Sequence, residues 1–144
     1  MTHGRQIPLS QDAALVVALA GTAIPFAHSA EDEAERWLRA MRLHGQVGST
    51  LQALGVGESP LMTGSDHDYV EGQATPNLGP DVLEDVTTRA SEFATGRGAD
   101  SVGTTDILFG VFDVYGKLFD RVLYMRGTSR EELVERLTAA AARG

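Results

Sequence analysis

The sequence predicts an all-α protein made of two pseudo-repeats of about four helices each. Three observations carry that prediction. Apolar residues recur at spacings of three and four along most of the chain, and no segment argues for a sheet. Capping residues stand where these stripes begin, and Gly or Pro stands where they end. Landmarks of the first half also return in the second. Leu9 and Asp12 recur as Leu78 and Asp81, and Leu51, Gly55 and Leu61 recur as Leu123, Gly127 and Leu133. The offset drifts from 69 to 72 residues, as a few inserted loop residues would make it do.

The elements follow in chain order. Ser10 is a good N-cap, with Asp12 favourably placed in the first turn. Leu15, Val16, Leu19, Ala20, Ala23 and Ile24 then recur at helical spacing until Pro25 ends or kinks the helix. This apolar stretch, 13–27, is too short and too interrupted by Gly21 and Pro25 to span a bilayer, which takes about 20 apolar residues. Arg5 and the small residues around 27–30 imitate a signal peptide poorly, so a core helix is expected. Ser29 with Asp32 opens a second helix in the manner of a capping box. It carries Ala34, Trp37, Leu38 and Met41 inward and Glu31, Glu35, Arg36 and Arg39 outward. Gly45 and Gly48 are expected to break it, and 49–56 to form a short helix ended by Gly55.

Residues 57–78 are polar and turn-rich, apart from one more short helical turn at Leu61 and Met62. Pro80 suits a first turn. Val82, Val86, Ala90, Phe93 and Ala94 make the next apolar stripe, stopped by the glycines at 96 and 98. Thr104 is expected to cap a helix presenting Ile107, Leu108, Val111 and Phe112. Gly116 separates it from Leu118, Phe119, Val122 and Leu123. Thr128 and Ser129, with Glu131 and Glu132, offer two overlapping capping boxes for a last helix. That helix buries Leu133, Val134, Leu137 and Ala140. The expected organisation is a single domain, 1–144, with a first helical repeat at 1–62, a linker loop at 63–77 and a second helical repeat at 78–144.

Composition narrows the function. The chain has 144 residues, 42% of them hydrophobic, enough for one domain with a real core. Its formal net charge of -8 repels phosphate backbones, so no nucleic-acid partner is expected. It has no cysteine, which excludes a disulfide framework, a thiolate metal site and a cysteine nucleophile. A cytoplasmic location fits that usage, and no membrane partner is expected.

Catalytic signals are thin. The stretch "GVFDVYGKL" (110–118) has the wrong glycine spacing for a phosphate loop, and Leu118 replaces the hydroxyl residue that would meet magnesium. Its apolar residues fit a helix interface. Asp66, His67 and Asp68 are adjacent in a turn-rich loop and cannot easily converge on one ion, and no spaced helical His pair completes them. His3, His28 and His44 are scattered, and there is no GxSxG elbow. The acidic run "EDEAE" (31–35) sits at a helix N-terminus, where carboxylates are electrostatically favoured. It could also receive a guanidinium or ammonium group from a partner. No cofactor or metal is expected.

The segments "VGTTDILFGVF" (102–112), "RVLYMRGTSREELVERL" (121–137) and "LQALGV" (51–56) carry a resemblance in their order. The chain resembles the N-terminal domain of Clp-type AAA+ unfoldases, the Clp repeat domain. In that family each repeat opens with Phe-Thr, a Gly-Thr-Glu-His-Leu-Leu motif starts its second helix, and a Val-Leu…Gly segment follows. The resemblance implies a non-enzymatic module of the chaperone–protease system that binds protein or peptide. The chain ends at Gly144 without ATP-hydrolysing rings, which suggests a stand-alone, degenerate member acting as adaptor, decoy or sequestering protein. The partner would be a protein, a peptide or a peptide-like natural product, among them a Clp-type unfoldase or its substrates.

Relatives that bind phosphoarginine use the opening Thr and the motif Glu of each repeat. Ser10 matches the Thr and Leu9 the Phe of the first repeat; Glu33 matches the Glu, or the match slips to Glu31 or Glu35. In the second repeat Leu78, Gly79 and Thr105 replace Phe, Thr and Glu. Thr105 lacks the charge to pair with a guanidinium. The resemblance therefore implies an aliphatic groove between the halves, lined by Leu9 and Leu78 and edged by Ser10 and Glu33. Two other readings compete with it. One is an accessory protein or cryptic metal-assisted enzyme using Asp66 and Asp68 in a peptide or natural-product pathway. The other is a purely structural dimer module.

Overall fold

The computed structural model describes residues 7–56 and 81–143. The expected linker at 63–77, the turn at Leu61 and Met62, and residues Leu78, Gly79 and Pro80 lie outside the described residues. Among the described residues every regular element is helical. The order is α1 (Gln11–Ala23), a 3-10 turn (Ile24–Phe26), α2 (Ala30–Arg42), α3 (Gly45–Ala53), α4 (Val82–Gly96), α5 (Thr104–Tyr115), α6 (Lys117–Met125) and α7 (Arg130–Arg143).

The caps follow from the sequence. The Ser10 hydroxyl accepts from the Ala13 N–H at 3.1 Å and starts α1. Pro25 then limits the helix to Ala23 and tightens the next turn. The Ser29 hydroxyl accepts from the Asp32 N–H at 3.1 Å, while Asp32 takes the His28 N–H at 3.0 Å. The expected capping box is thus formed one residue out of register on its return bond. At α7 the Ser129 hydroxyl accepts from the Glu132 N–H, and Glu132 accepts from the Thr128 hydroxyl.

Two boundaries differ from expectation. α3 begins at Gly45 and runs through Gly48, so Gly48 is no break. A side chain at Gly48 would stand 2.8 Å from the Arg42 carbonyl oxygen, so glycine here serves the close return of α3 onto α2. The N-cap of α5 is Gly103, and Thr104 is the first helical residue. The α1 stripe is also rotated from expectation. Ala13, Val16, Ala20 and Ile24 are buried, while Leu15 is 41% exposed.

The core is shared by both halves. It holds Trp37, Met41, Leu51, Ile107, Leu108, Phe119, Leu123 and Leu133, all fully buried. Burying an aliphatic or aromatic side chain of this size stabilises by about 1.5–3 kcal/mol. α4 and α5 form the most extensive helix pair. Their axes come close because Gly110 faces α4, where an added Cβ would lie 2.6 Å from the Val86 carbonyl oxygen. Phe93, Phe109, Phe112 and Phe119 make a tilted row across α4, α5 and α6, with centroids 5.5–5.9 Å apart. Phe93, expected inside the α4 stripe, lies at the edge of that row and is 38% exposed.

The halves interlock crosswise: α2 packs on α6, and α3 packs on α5 and α7. The ends of α3 and α6 repeat one geometry 72 residues apart. The Val56 N–H donates to Leu51 at 2.9 Å, and the Thr128 N–H to Leu123 at 3.0 Å. Gly55 and Gly127 supply the left-handed residue at φ 86° and 90°.

Candidate functional site

The seam between the halves is built from backbone first. Residue 9 forms a parallel bridge with residue 102. The Ser10 N–H donates to the Val102 carbonyl at 2.8 Å, and the Val102 N–H donates to the Pro8 carbonyl at 2.8 Å. The opening of the first half is thereby tied to the start of α5 in the second. The N-terminus of α3 joins them. The hydroxyl of Thr104, a buried residue, receives the Val47 N–H over a long 3.5 Å, and Gly45 lies directly beneath it.

Asp106 organises the first turn of α5. Its carboxylate accepts the Gly103 N–H at 2.9 Å, half of a capping box, since Gly103 has no side chain to return the bond. The Arg97 guanidinium closes over it, with Nε 3.0 Å from Oδ1. That hydrogen bond raises the Arg97 pKa above its ordinary value. Asp106 is 1% exposed and Arg97 is 55% exposed, so a buried carboxylate is neutralised from the surface.

α5 runs antiparallel to α2. Thr104 meets Gly45 just past the end of α2, while Tyr115 reaches the first turn of α2. There the Tyr115 hydroxyl donates to Glu33 Oε1 at 2.9 Å and accepts from Trp37 Nε1 at 3.1 Å. Burial pushes the Tyr115 hydroxyl well above its ordinary pKa, and the nearby Glu33 carboxylate pushes it further. The relay is a neutral donor chain ending on a carboxylate.

The acidic run of α2 already receives guanidinium groups, and they come from the chain itself. Arg121 of α6 approaches Glu31 at 3.3 Å, and Arg126, the C-cap of α6, approaches Glu35 at 3.0 Å. Arg36 pairs with Asp32 and also donates to the Ala23 carbonyl, fastening α2 to the end of α1. Exposed pairs of this kind contribute about 0–1 kcal/mol. The docking of α6 on α2 therefore rests mainly on buried Phe119, Val122 and Leu123.

Three of the four residues singled out from sequence lie among the described residues, and Glu33 stands apart from Leu9 and Ser10. Leu9 is partly buried against the core and bridged to Val102. Ser10 caps α1 beside it. Glu33, expected on a groove edge, lies inside the core at 1% exposure, beside the far end of α5. A helix of 12 residues is about 18 Å long, which sets the scale of its separation from Ser10. Leu78 lies outside the described residues. Sequence reasoning missed Tyr115, Asp106 and Arg97. A signal for the relay existed: Glu33, Trp37 and Met41 share one stripe at spacing four, as do Ile107, Val111 and Tyr115. A buried Tyr or Trp usually finds a partner for its polar atom.

Among the described residues no group of three His, Asp or Glu side chains could hold a metal ion. No described helix is long and apolar enough to cross a membrane. No family model matches the chain, and no curated protein sequence matches it.

Proposed function

We propose that this chain is a non-enzymatic binding module of the Clp-repeat type, recognising a protein, a peptide or a peptide-like natural product. It acts as an adaptor, decoy or sequestering protein, and its binding locus is the seam where residues 8–10 meet 102–105. The observation that carries this reading is the backbone pairing of Leu9 and Ser10 with Val102. It joins the opening of one half to the second-helix start of the other, the two features that the resemblance assigns to recognition. The matching turns at Gly55 and Gly127, and the antiparallel setting of α2 and α5, support a duplicated origin for the halves.

Alignment on the N-caps Ser29 and Gly103 pairs Glu31 with Thr105. The orienting carboxylate of the first half is then Glu31, which is partly exposed and pairs with the exposed Arg121. Glu33 takes a structural role. Apolar contacts at Leu9 supply affinity, and Glu31 draws a cationic group of the ligand in its own half.

The test is a synthetic peptide array probed with purified protein, wild type beside Leu9→Ala and Thr105→Arg. Both variants are first checked for unchanged thermal unfolding. Selective capture that both variants weaken supports the seam. Capture that neither variant alters overturns it.

A further inference from the structure

Glu33 and Tyr115 hold places that the other half fills with apolar residues. Ser29 and Gly103, the N-caps of α2 and α5, stand 74 residues apart. On that alignment Glu33 corresponds to Ile107, and Met41 corresponds to Tyr115. Ile107 and Met41 are both fully buried. The antiparallel crossing of α2 and α5 therefore has a polar end, made by Glu33, Tyr115 and Trp37, and an apolar counterpart.

Two similar halves carry a hazard. Each presents a face shaped for its sibling, so it can also pair with the same half of a second chain. In a pairing of α2 with α2, Glu33 would meet Met41 in place of Tyr115 and lose its tyrosine hydrogen bond. In a pairing of α5 with α5, the Tyr115 hydroxyl would meet Ile107 and lose its acceptor. Each lost buried hydrogen bond disfavours such a pairing by roughly tenfold or more. The α2–α5 pairing satisfies both.

We propose that the Glu33–Tyr115–Trp37 relay is a pairing key, which selects the union of unlike halves within one chain over like-with-like pairing between two chains. Buried polar groups fix register and partner in this way in coiled coils. The inference rests on the duplicated reading given above, because that reading supplies the correspondence of positions. It does not depend on what the seam binds.

The replacements come from the chain itself. Glu33→Ile with Tyr115→Met copies the apolar end into the polar one. The full chain is refolded from denaturant at high concentration. Assembly is read by light scattering, and the methyl signals of Met41 and Ile107 are read by NMR. The expected result is a modestly lowered denaturation midpoint, because the Trp37 N–H loses its acceptor, with a dimer fraction roughly tenfold higher and a second set of methyl signals. A folded variant with wild-type assembly and a single set of signals overturns the key while leaving the duplication intact. A collapsed midpoint means the positions are not equivalent and overturns both. Glu33→Gln serves as control, since its amide oxygen still accepts from Tyr115. It is expected to assemble like wild type, and a dimer shift with it overturns the relay as the cause.

Discussion

Thr104 presses on Gly45: a Cβ built at Gly45 would lie 2.7 Å from the Thr104 hydroxyl oxygen and methyl carbon. Gly45 also has φ 76°, a conformation that side chains rarely adopt. One contact thus seats the start of α3 against the start of α5. Gly45→Ala is expected to destabilise by about 2–4 kcal/mol, from left-handed strain and overpacking together. Adding Thr104→Ala should recover only the steric part, leaving the cost of the backbone conformation. Chemical denaturation of the two single variants and the double variant measures the split, and strict additivity would contradict the contact.

Gly110 offers a second check on close packing. In an exposed helix interior, Gly→Ala stabilises by about 1 kcal/mol. Here the added methyl would meet the Val86 carbonyl at 2.6 Å, on a backbone that cannot swing aside. Gly110→Ala is expected to lower stability by about 1–3 kcal/mol despite its better propensity. Gly96, with open space around it, is the control and should show no such loss.

Tyr115→Phe removes the hydroxyl between Trp37 and Glu33 and should cost about 1–3 kcal/mol near neutral pH. Its pH dependence has a definite sign. The folded state holds the Tyr115 proton more tightly than the unfolded chain does. The stabilisation is therefore complete below the ordinary tyrosine pKa of about 10 and is lost as pH rises above it. Wild type should lose stability above pH 10 more steeply than Tyr115→Phe, by up to about 1.4 kcal/mol per pH unit. Parallel alkaline profiles would remove the buried hydroxyl from this account.

Arg126→Ala tests the surface ion pairs. Arg126 and Glu35 are both partly exposed, so the loss should stay within about 1 kcal/mol and shrink further in high salt. Phe119→Ala, at a fully buried position of α6, should cost about 3–5 kcal/mol. Urea denaturation at two salt concentrations separates the two.

Much of the fold was legible because caps and stripes act locally. Ser10, Ser29 and Ser129 start helices where their hydroxyls predict, and Gly55 and Gly127 end them. The failures are all tertiary. Gly48 reads as a breaker from sequence, yet its reason is the Arg42 carbonyl packed against it. Thr104 reads as a cap, yet Asp106 and Gly103 do that work while Thr104 turns to α3. Glu33 reads as a surface acid in an acidic run, because its buried partner is 82 residues away. No local pattern announces a contact of that range, although the stripe shared with Trp37 hinted at it.

The account turns on the seam between residues 8–10 and 102–105 being where a ligand is bound without chemistry. Amide NMR of the full chain, titrated with the tightest peptide from the array, tests this most directly. The account predicts saturable shifts centred on Leu9, Ser10 and Val102 to Thr105, with the peptide recovered intact. Shifts centred elsewhere, or a peptide returned cleaved or modified, would contradict it.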